Sequence, residues 1–264
     1  NLMNNDLVSI ITPIYNSATW VDNLLKTVKE QTYQSWEMII IDDCSTDNTF
    51  EVLNNIAKND HRIKVYKNAS NQGPGSTRNN AIKLAKGRFI AFLDADDEWC
   101  KNKLEIQVSE MLKNQYHFSY HDYRHMSSDG LLVGDIVCSS NILDWYTLHT
   151  RRGLGCLTIM FDRTLGDLPF FPSIENVIAE DFLAWSDLLK RGYVGHRIPY
   201  DLARYRLSEN TRSSNKLRAV KTVWHIYRKI ELISFHKSLF FWIMYCKNAF
   251  LLHKRSAPYI NVEK

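Results

Sequence analysis

The stretch Phe89-Ile90-Ala91-Phe92-Leu93-Asp94-Ala95-Asp96-Asp97 sets five apolar residues directly against a group of acids. A continuous apolar run of that length fits a strand buried on both faces, as in a parallel sheet covered by helices. The Asp-x-Asp at its end predicts two carboxylates on one side of the pleat, because side chains alternate with period two. Like charges that close repel unless a cation lies near them, and a hard divalent ion, Mn²⁺ or Mg²⁺, suits carboxylate oxygens. Strand-end acids can instead cap a helix and point to water. The five apolar residues before Asp94 weigh against that reading here.

Outward from this stretch, the chain back to residue 7 alternates between strand and helix patterns. Leu7 to Thr12 is an apolar run closed by Pro13, and Val21, Leu24, Leu25 and Val28 follow at helical spacing. Met38 to Ile41 is a second buried strand ending at Asp42-Asp43, and Ser45 to Asn48 offer N-caps for a helix through Phe50, Leu53 and Ala57. Ile63 to Tyr66 makes a third strand. The loop Asn71-Gln72-Gly73-Pro74-Gly75 leads into a helix with Ile82 and Ala85 on one side and Gly87 as its C-terminal stop. Such units build an α/β fold with a Rossmann-like, mostly parallel central sheet flanked by helices, whose ligands bind at the carboxyl ends of the strands. Thr12-Pro13, Asp42-Asp43 and Asp94-Ala95-Asp96 share that edge. Farther on, strands are expected at Tyr116–Tyr120 and Leu157–Phe161 and a helix at Asp181–Leu189, while 124–155 gives no periodic signal.

At 264 residues, with 45% apolar and 23% charged residues, the chain can bury a core and is no disordered polyelectrolyte. Five Cys at scattered positions form no CxxC pair and no zinc spacing, which predicts reduced thiols in a cytosolic protein. No basic stretch followed by an apolar run marks a signal peptide at the start. Charge is uneven: from Lys216 to Arg255 nine Lys and Arg face a single acid, Glu231, a net of +8, so the remaining residues are net −4. A tail of that kind predicts contact with something anionic.

Four stretches in order, Val8 to Asn16, Ile41 to Thr49, Gly73 to Asn79 and Phe92 to Asp97, together resemble glycosyltransferase family 2. Glu180-Asp181, followed by Trp185, extends the likeness to about residue 192. The resemblance implies the GT-A fold and inverting transfer from a nucleotide sugar. It divides the chain into a catalytic domain over 1–215, with a nucleotide-sugar half at about 7–104 and an acceptor half at 105–215, and an amphipathic, basic and aromatic helical segment over 216–264. It places Thr12, Pro13, Tyr15, Asp43 and the loop at Gly73 around the nucleotide, with Asp43 reading the imide N–H of uracil and so favouring UDP. Arg78 is expected at the diphosphate as a permanent cation. Asp94 is expected near ribose and metal, Asp96 on the metal, and Asp181 as general base on the acceptor hydroxyl.

Many relatives carry His where this chain has Ser208, so Arg206, Arg212 or nearby hydroxyls are expected to close over the diphosphate instead. His117 and His121 are candidates for lining the sugar pocket. The Asp94-Ala95-Asp96-Asp97 form resembles bacterial O-antigen transferases that add a hexose to a sugar on undecaprenyl diphosphate. The C-terminal segment fits that role physically: Leu239 to Tyr245 is too short an apolar run to span a bilayer, which takes about 20 residues, but can lie in its interface beside basic residues. The expected location is therefore the inner face of the cytoplasmic membrane, held peripherally. The same helix could instead pack on the catalytic domain.

Two other classes fit less well. A dinucleotide oxidoreductase needs a third glycine where Arg78 stands, and its glycines directly after the first strand. A non-catalytic module binding membrane or nucleic acid through the basic tail leaves the acids unexplained, and no nucleic-acid motif is present, so no nucleic-acid partner is expected.

Overall fold

The computed structural model describes residues 6–151, 154–174, 179–207, 216–254 and 260–261. The first half follows the alternating sequence pattern: β1 (Val8–Ile14), α1 (Val21–Lys29), β2 (Trp36–Asp42), α2 (Thr49–Ala57), β3 (Ile63–Lys67), α3 (Gly73–Leu84) and β4 (Phe89–Phe92). Then come β5 (Glu98–Trp99), α4 (Lys103–Asn114), β6 (Phe118–Met126), β7 (Leu132–Val137), β8 (Ile142–Leu143), α5 (Trp145–Thr150) and β9 (Met160–Asp162). The chain continues through α6 (Glu180–Lys190), β10 (Gly195–Arg206), α7 (Lys216–His225), α8 (Phe235–Lys254) and β11 (Ile260–Asn261).

One sheet runs in the order β11-β7-β6-β9-β4-β1-β2-β3, with β10 beside β6 and bridging to β5 and β8. The pairs β1 with β2, β2 with β3 and β1 with β4 are parallel, so their carboxyl ends share one edge. Every residue of β1, β2 and β4 is buried. Alternate side chains feed two cores: Ile10, Met38 and Ala91 meet α1 and α4, whereas Ile11, Ile39 and Phe92 meet α3 and α6. Each such side chain contributes about 1.5–3 kcal/mol, which is why these positions read so clearly as apolar runs. Gly87 does not stop α3 in a left-handed turn. A Cβ there would lie 2.5 Å from the Leu7 carbonyl oxygen, so glycine is required by the approach of the chain to β1.

Beyond α4 the reading and the structure differ in detail. The strand expected at 116–120 runs on to Met126, because its polar residues are paired: Arg197 grips both oxygens of Asp122 at 2.7 and 2.6 Å, and Arg124 bonds Asp201 at 2.7 Å. The strand expected at 157–161 is a short 3₁₀ turn, Cys156–Thr158, followed by β9. The helix expected at 181–189 is α6. The helical C-terminal reading agrees with α7 and α8, and a π-helical turn at Ile226–Ile230 bends the chain between them. One face of that segment is packed: Ile226, Tyr227, Ile233 and Phe241 form a third core with Leu183 and, at its margin, Trp145 and Phe182. No helix among the described residues is long and apolar enough to cross a membrane.

Candidate active site

The carboxyl ends of β1 and β2 are stitched together by two residues in left-handed conformation, Asn16 (φ 46°) and Cys44 (φ 63°). Asn16 donates its N–H to Ser45 Oγ at 2.9 Å and accepts from the Thr46 N–H at 2.8 Å. Thr12 is fully buried and its Oγ1 has no partner among the described residues, Pro13 lies within β1, and Tyr15 is 45% exposed. Asp43 is buried and organises the following loop. Its Oδ1 accepts from Asn68 Nδ2 and the Gln72 N–H, and its Oδ2 from the Gly73 N–H at 2.8 Å. Gly73 takes φ 81°, a conformation that favours glycine, to aim that N–H at the carboxylate.

The acids after β4 do not lie on a pleat. The strand ends at Phe92, and the Asp97 N–H turns back to the Asp94 carbonyl at 3.3 Å, so a turn gathers the carboxylates in place of period-two alternation. They feel one another strongly. Burial, then the charge of Asp94, raises the Asp96 carboxyl above its ordinary range, and burial with Asp96 and Asp94 raises Asp97 further. Arg206 frames the turn from below. It donates Nε to the Asp96 carbonyl (2.8 Å), its backbone N–H to Asp97 (3.0 Å) and Nη2 to Glu98 (2.6 Å), with its guanidinium 4.5 Å over the Trp20 ring. It is the last residue of β10 and only 4% exposed, so it is no part of an open loop over a diphosphate. Arg212 and Ser208 lie outside the described residues.

Arg78, on α3, joins the acid turn to α6. Its Nη2 donates to both oxygens of Asp94, at 2.7 and 2.9 Å, and its Nη1 lies 3.6 Å from Glu180. Burial works against this cation, but Asp94, with Cys156 and Asp181 beyond it, raises its pKa. The close approach depends on Gly75, where a Cβ would stand 3.1 Å from Glu180 Cγ. Asp181 sits in the first turn of α6, its Oδ1 accepting from the Phe182 N–H at 2.7 Å. Trp185, one turn on, packs against Phe92 (5.8 Å between centroids), anchoring α6 on the strand that carries the acids. Asp94, Asp96, Arg78 and Asp181 therefore converge on one edge of the sheet.

The histidines do not join them. His117 precedes β6 at the opposite edge, bonding the Asp167 carbonyl at 2.8 Å. His121 is fully buried, and burial with the neighbouring Lys103 pushes its pKa down to about 3, so it is a neutral core residue. Two residues carry no role in the sequence reading: Glu180, named there only with Asp181, and the half-buried Cys156, whose thiol is pushed up by desolvation in the shared field of Arg78, Asp94, Asp181 and Asp97. The five cysteines are all free. Among the described residues no group of three or more His, Cys, Asp or Glu gathers to hold a metal.

Residues 9–134 match glycosyl transferase family 2. A teichuronic acid biosynthesis glycosyltransferase, TuaG, of Bacillus subtilis, itself described as putative, is 39% identical over 92% of this chain and 96% of its own. WfgD of Escherichia coli, a UDP-Glc:α-D-GlcNAc-diphosphoundecaprenol β-1,3-glucosyltransferase, is 40% identical over 85% of this chain and 86% of its own. Among solved structures, S. aureus TarS in complex with UDP-GlcNAc superposes with a TM-score of 0.65 at 20% identity, covering 85% of this chain and 66% of that one. A mannosyltransferase from Pyrobaculum calidifontis, in complex with GDP-Man and Mn²⁺, gives 0.62 at 18%, over 86% and 64%. The fold is that of the GT-A glycosyltransferases, and the chain belongs to glycosyltransferase family 2.

Proposed function

We propose that this enzyme moves a hexose, glucose or galactose, from its UDP-sugar to a hydroxyl of a sugar carried on a lipid diphosphate, in bacterial surface polysaccharide synthesis, with inversion to a β-linkage. The observation that carries the reading is Arg78, which ties the acid turn at Asp94 to the helix start at Asp181. On this reading a charge-neutralising group and a base share one crevice, as a displacement at a sugar carbon requires.

The residues fit a divalent ion. Asp94 and Asp96 are hard oxygen donors that repel one another when alone, and the donor's phosphates would complete the shell. Such an ion, Mn²⁺ or Mg²⁺, would neutralise charge on the leaving diphosphate. The chain's own groups do the rest. Thr12, Pro13, Tyr15 and the Asp43–Gly73 loop enclose the base and ribose, with the unpartnered Thr12 hydroxyl and the second lone pair of Asp43 Oδ2 available to the nucleotide. Arg78 exchanges Asp94 for diphosphate oxygens. Asp181 Oδ2 takes the proton of the acceptor hydroxyl as its oxygen bonds to the anomeric carbon and the bond to the phosphate oxygen breaks.

The acceptor's lipid accounts for the C-terminal segment. With one face of α7 and α8 packed inward, the outer face presents Phe235, Leu239, Phe240 and Ile243 among Lys221, Lys229, Lys237 and Lys247, suited to the anionic surface where such a lipid resides. The test is product analysis after incubation with UDP-Glc, UDP-Gal and their N-acetyl forms, a synthetic GlcNAc-diphosphate lipid and Mn²⁺. A β-linked disaccharide lipid is expected; transfer from no UDP-sugar refutes the reading.

A further inference from the structure

We infer that the cleft between α7 and α8 receives the start of the acceptor's polyprenyl chain, the isoprene units nearest the diphosphate. This rests on the lipid-acceptor reading above and adds where on the protein that lipid is read.

The cleft has a volume of about 360 Å³ and is lined by Val220, Lys221, Trp224, Leu239 and Trp242. That is the size at which pockets begin to hold small ligands, on the order of 300–1,000 Å³. Its walls are apolar carbon except for the Lys221 side chain. The two tryptophans are held as walls: Trp242 Nε1 donates to the Val220 carbonyl at 3.1 Å, and the Trp224 ring meets Trp242 and Phe235 edge-on, each at 6.0 Å between centroids. Rings pinned this way line the space without filling it.

The inner face of the same helices is already used. Tyr227 and Phe241 are buried, and they pack with Phe182 and Leu183 of α6, the helix whose first turn carries Asp181. The cleft and the base are thus built on one rigid unit. An occupant must also match charge. Across residues 220–248 the exposed cations include Lys221, Lys229, Lys237 and Lys247, while the single acid, Glu231, turns inward to Lys190 at 2.6 Å. A ligand with a branched apolar chain next to an anionic diphosphate fits an apolar slot with a cation on its wall. A second copy of this basic segment offers no such anion.

Two variants test this with opposite chemistry. Leu239→Glu puts a carboxylate into the slot; Leu239→Trp fills it while keeping the outer face apolar. Leu239 is 38% exposed, so both are expected to fold, which thermal melting checks. Transfer to GlcNAc diphosphate on an undecaprenyl chain and on a short linear alkyl chain is compared in the same detergent. The wild type is expected to show a KM about tenfold lower for the polyprenyl acceptor. Both variants should raise that KM to the short-chain value and leave kcat and short-chain kinetics unchanged. Equal KM for both acceptors in the wild type, or a variant effect on both alike, overturns the inference.

Tryptophan fluorescence separates this from failure of the transferase reading. Undecaprenyl phosphate in detergent should quench the wild type and not the variants even if no sugar is transferred. A linear alkyl phosphate in the same detergent giving the same quench would assign the cleft to any anionic apolar chain. A dimer that Leu239→Glu dissociates would assign it to a second copy. Either result rejects the inference.

Discussion

Arg78 holds Asp94 by one guanidinium nitrogen, Nη2, at 2.7 and 2.9 Å to the two carboxylate oxygens, and offers the other, Nη1, to Glu180 at 3.6 Å. A buried cation shared between the acid turn and the first turn of α6 links the end of β4 to that helix. On the proposed function, Asp94 changes partner when substrate arrives.

Lysine cannot reproduce that fork, because it is a point charge with no fixed second donor. Arg78→Lys should lower kcat/KM for the UDP-sugar by about 10²-fold, the scale for losing a preorganised donor to developing charge. Steady-state kinetics with the donor varied measures it. Unchanged kcat/KM would mean that Arg78 never leaves Asp94.

Asp96 tests the ion. In the wild type, UDP with Mn²⁺ should raise the melting temperature more than UDP alone, by linkage worth about 2.7 kcal/mol at a hundredfold excess over Kd. Asp96→Ala should keep the shift from UDP alone and lose the Mn²⁺ increment, and EDTA should abolish wild-type transfer. Full turnover under EDTA would remove the metal from the scheme.

Asp181→Asn keeps the size and the helix-start position of the side chain but cannot accept the hydroxyl proton. Transfer should fall by about 10²–10⁴-fold, the usual contribution of a general base, while the UDP-induced melting shift stays at the wild-type value. A variant that turns over normally would move the base elsewhere, with Glu180 the next carboxylate to test.

How much of this could be read in the sequence depends on whether the signal was local. β1 to β4 were legible because each is a continuous apolar run cut by loop residues, and the acid turn was legible because it ends such a run. Its geometry was not: alternation predicted shared pleat faces, where a turn does the work. β6 was cut short in the reading because Asp122 and Arg124 look like loop residues until Arg197 and Asp201, more than seventy positions away, are seen to pair with them. β7 alternates no apolar face, none of its residues being buried, so 124–155 carried no period to read. Arg206 is expected from sequence to close over the diphosphate, and only the pairing of Arg204 with Glu98 in the β10–β5 ladder brings it under the acids. Arg78 is expected at the diphosphate, and its bond to Asp94 was not legible because it depends on how tightly α3 and α6 approach across Gly75.

Lys103 gives a prediction about stability. It is fully buried on α4, its Nζ lies 3.8 Å over the Trp99 ring, and no acceptor among the described residues reaches it. Burial holds its pKa well below the ordinary lysine value, and the ionisable group that feels it is the buried, neutral His121. The sign follows from proton counting. Below about 10.4 the unfolded chain holds a proton on this lysine; where the folded chain does not, folding must release it, so stability rises with pH across that window. The cost is absent above the unfolded value, grows as pH falls, and is complete below the folded value. Lys103→Met removes it, and each kcal/mol recovered is worth roughly 2–4 °C in a chain of this size. The variant should therefore melt higher than the wild type at pH 7, with the gap closing as pH approaches 10. Melting curves at pH 7, 8, 9 and 10 decide it: a gap that stays constant, or a variant less stable throughout, would mean that the ammonium is charged and held by water inside the fold.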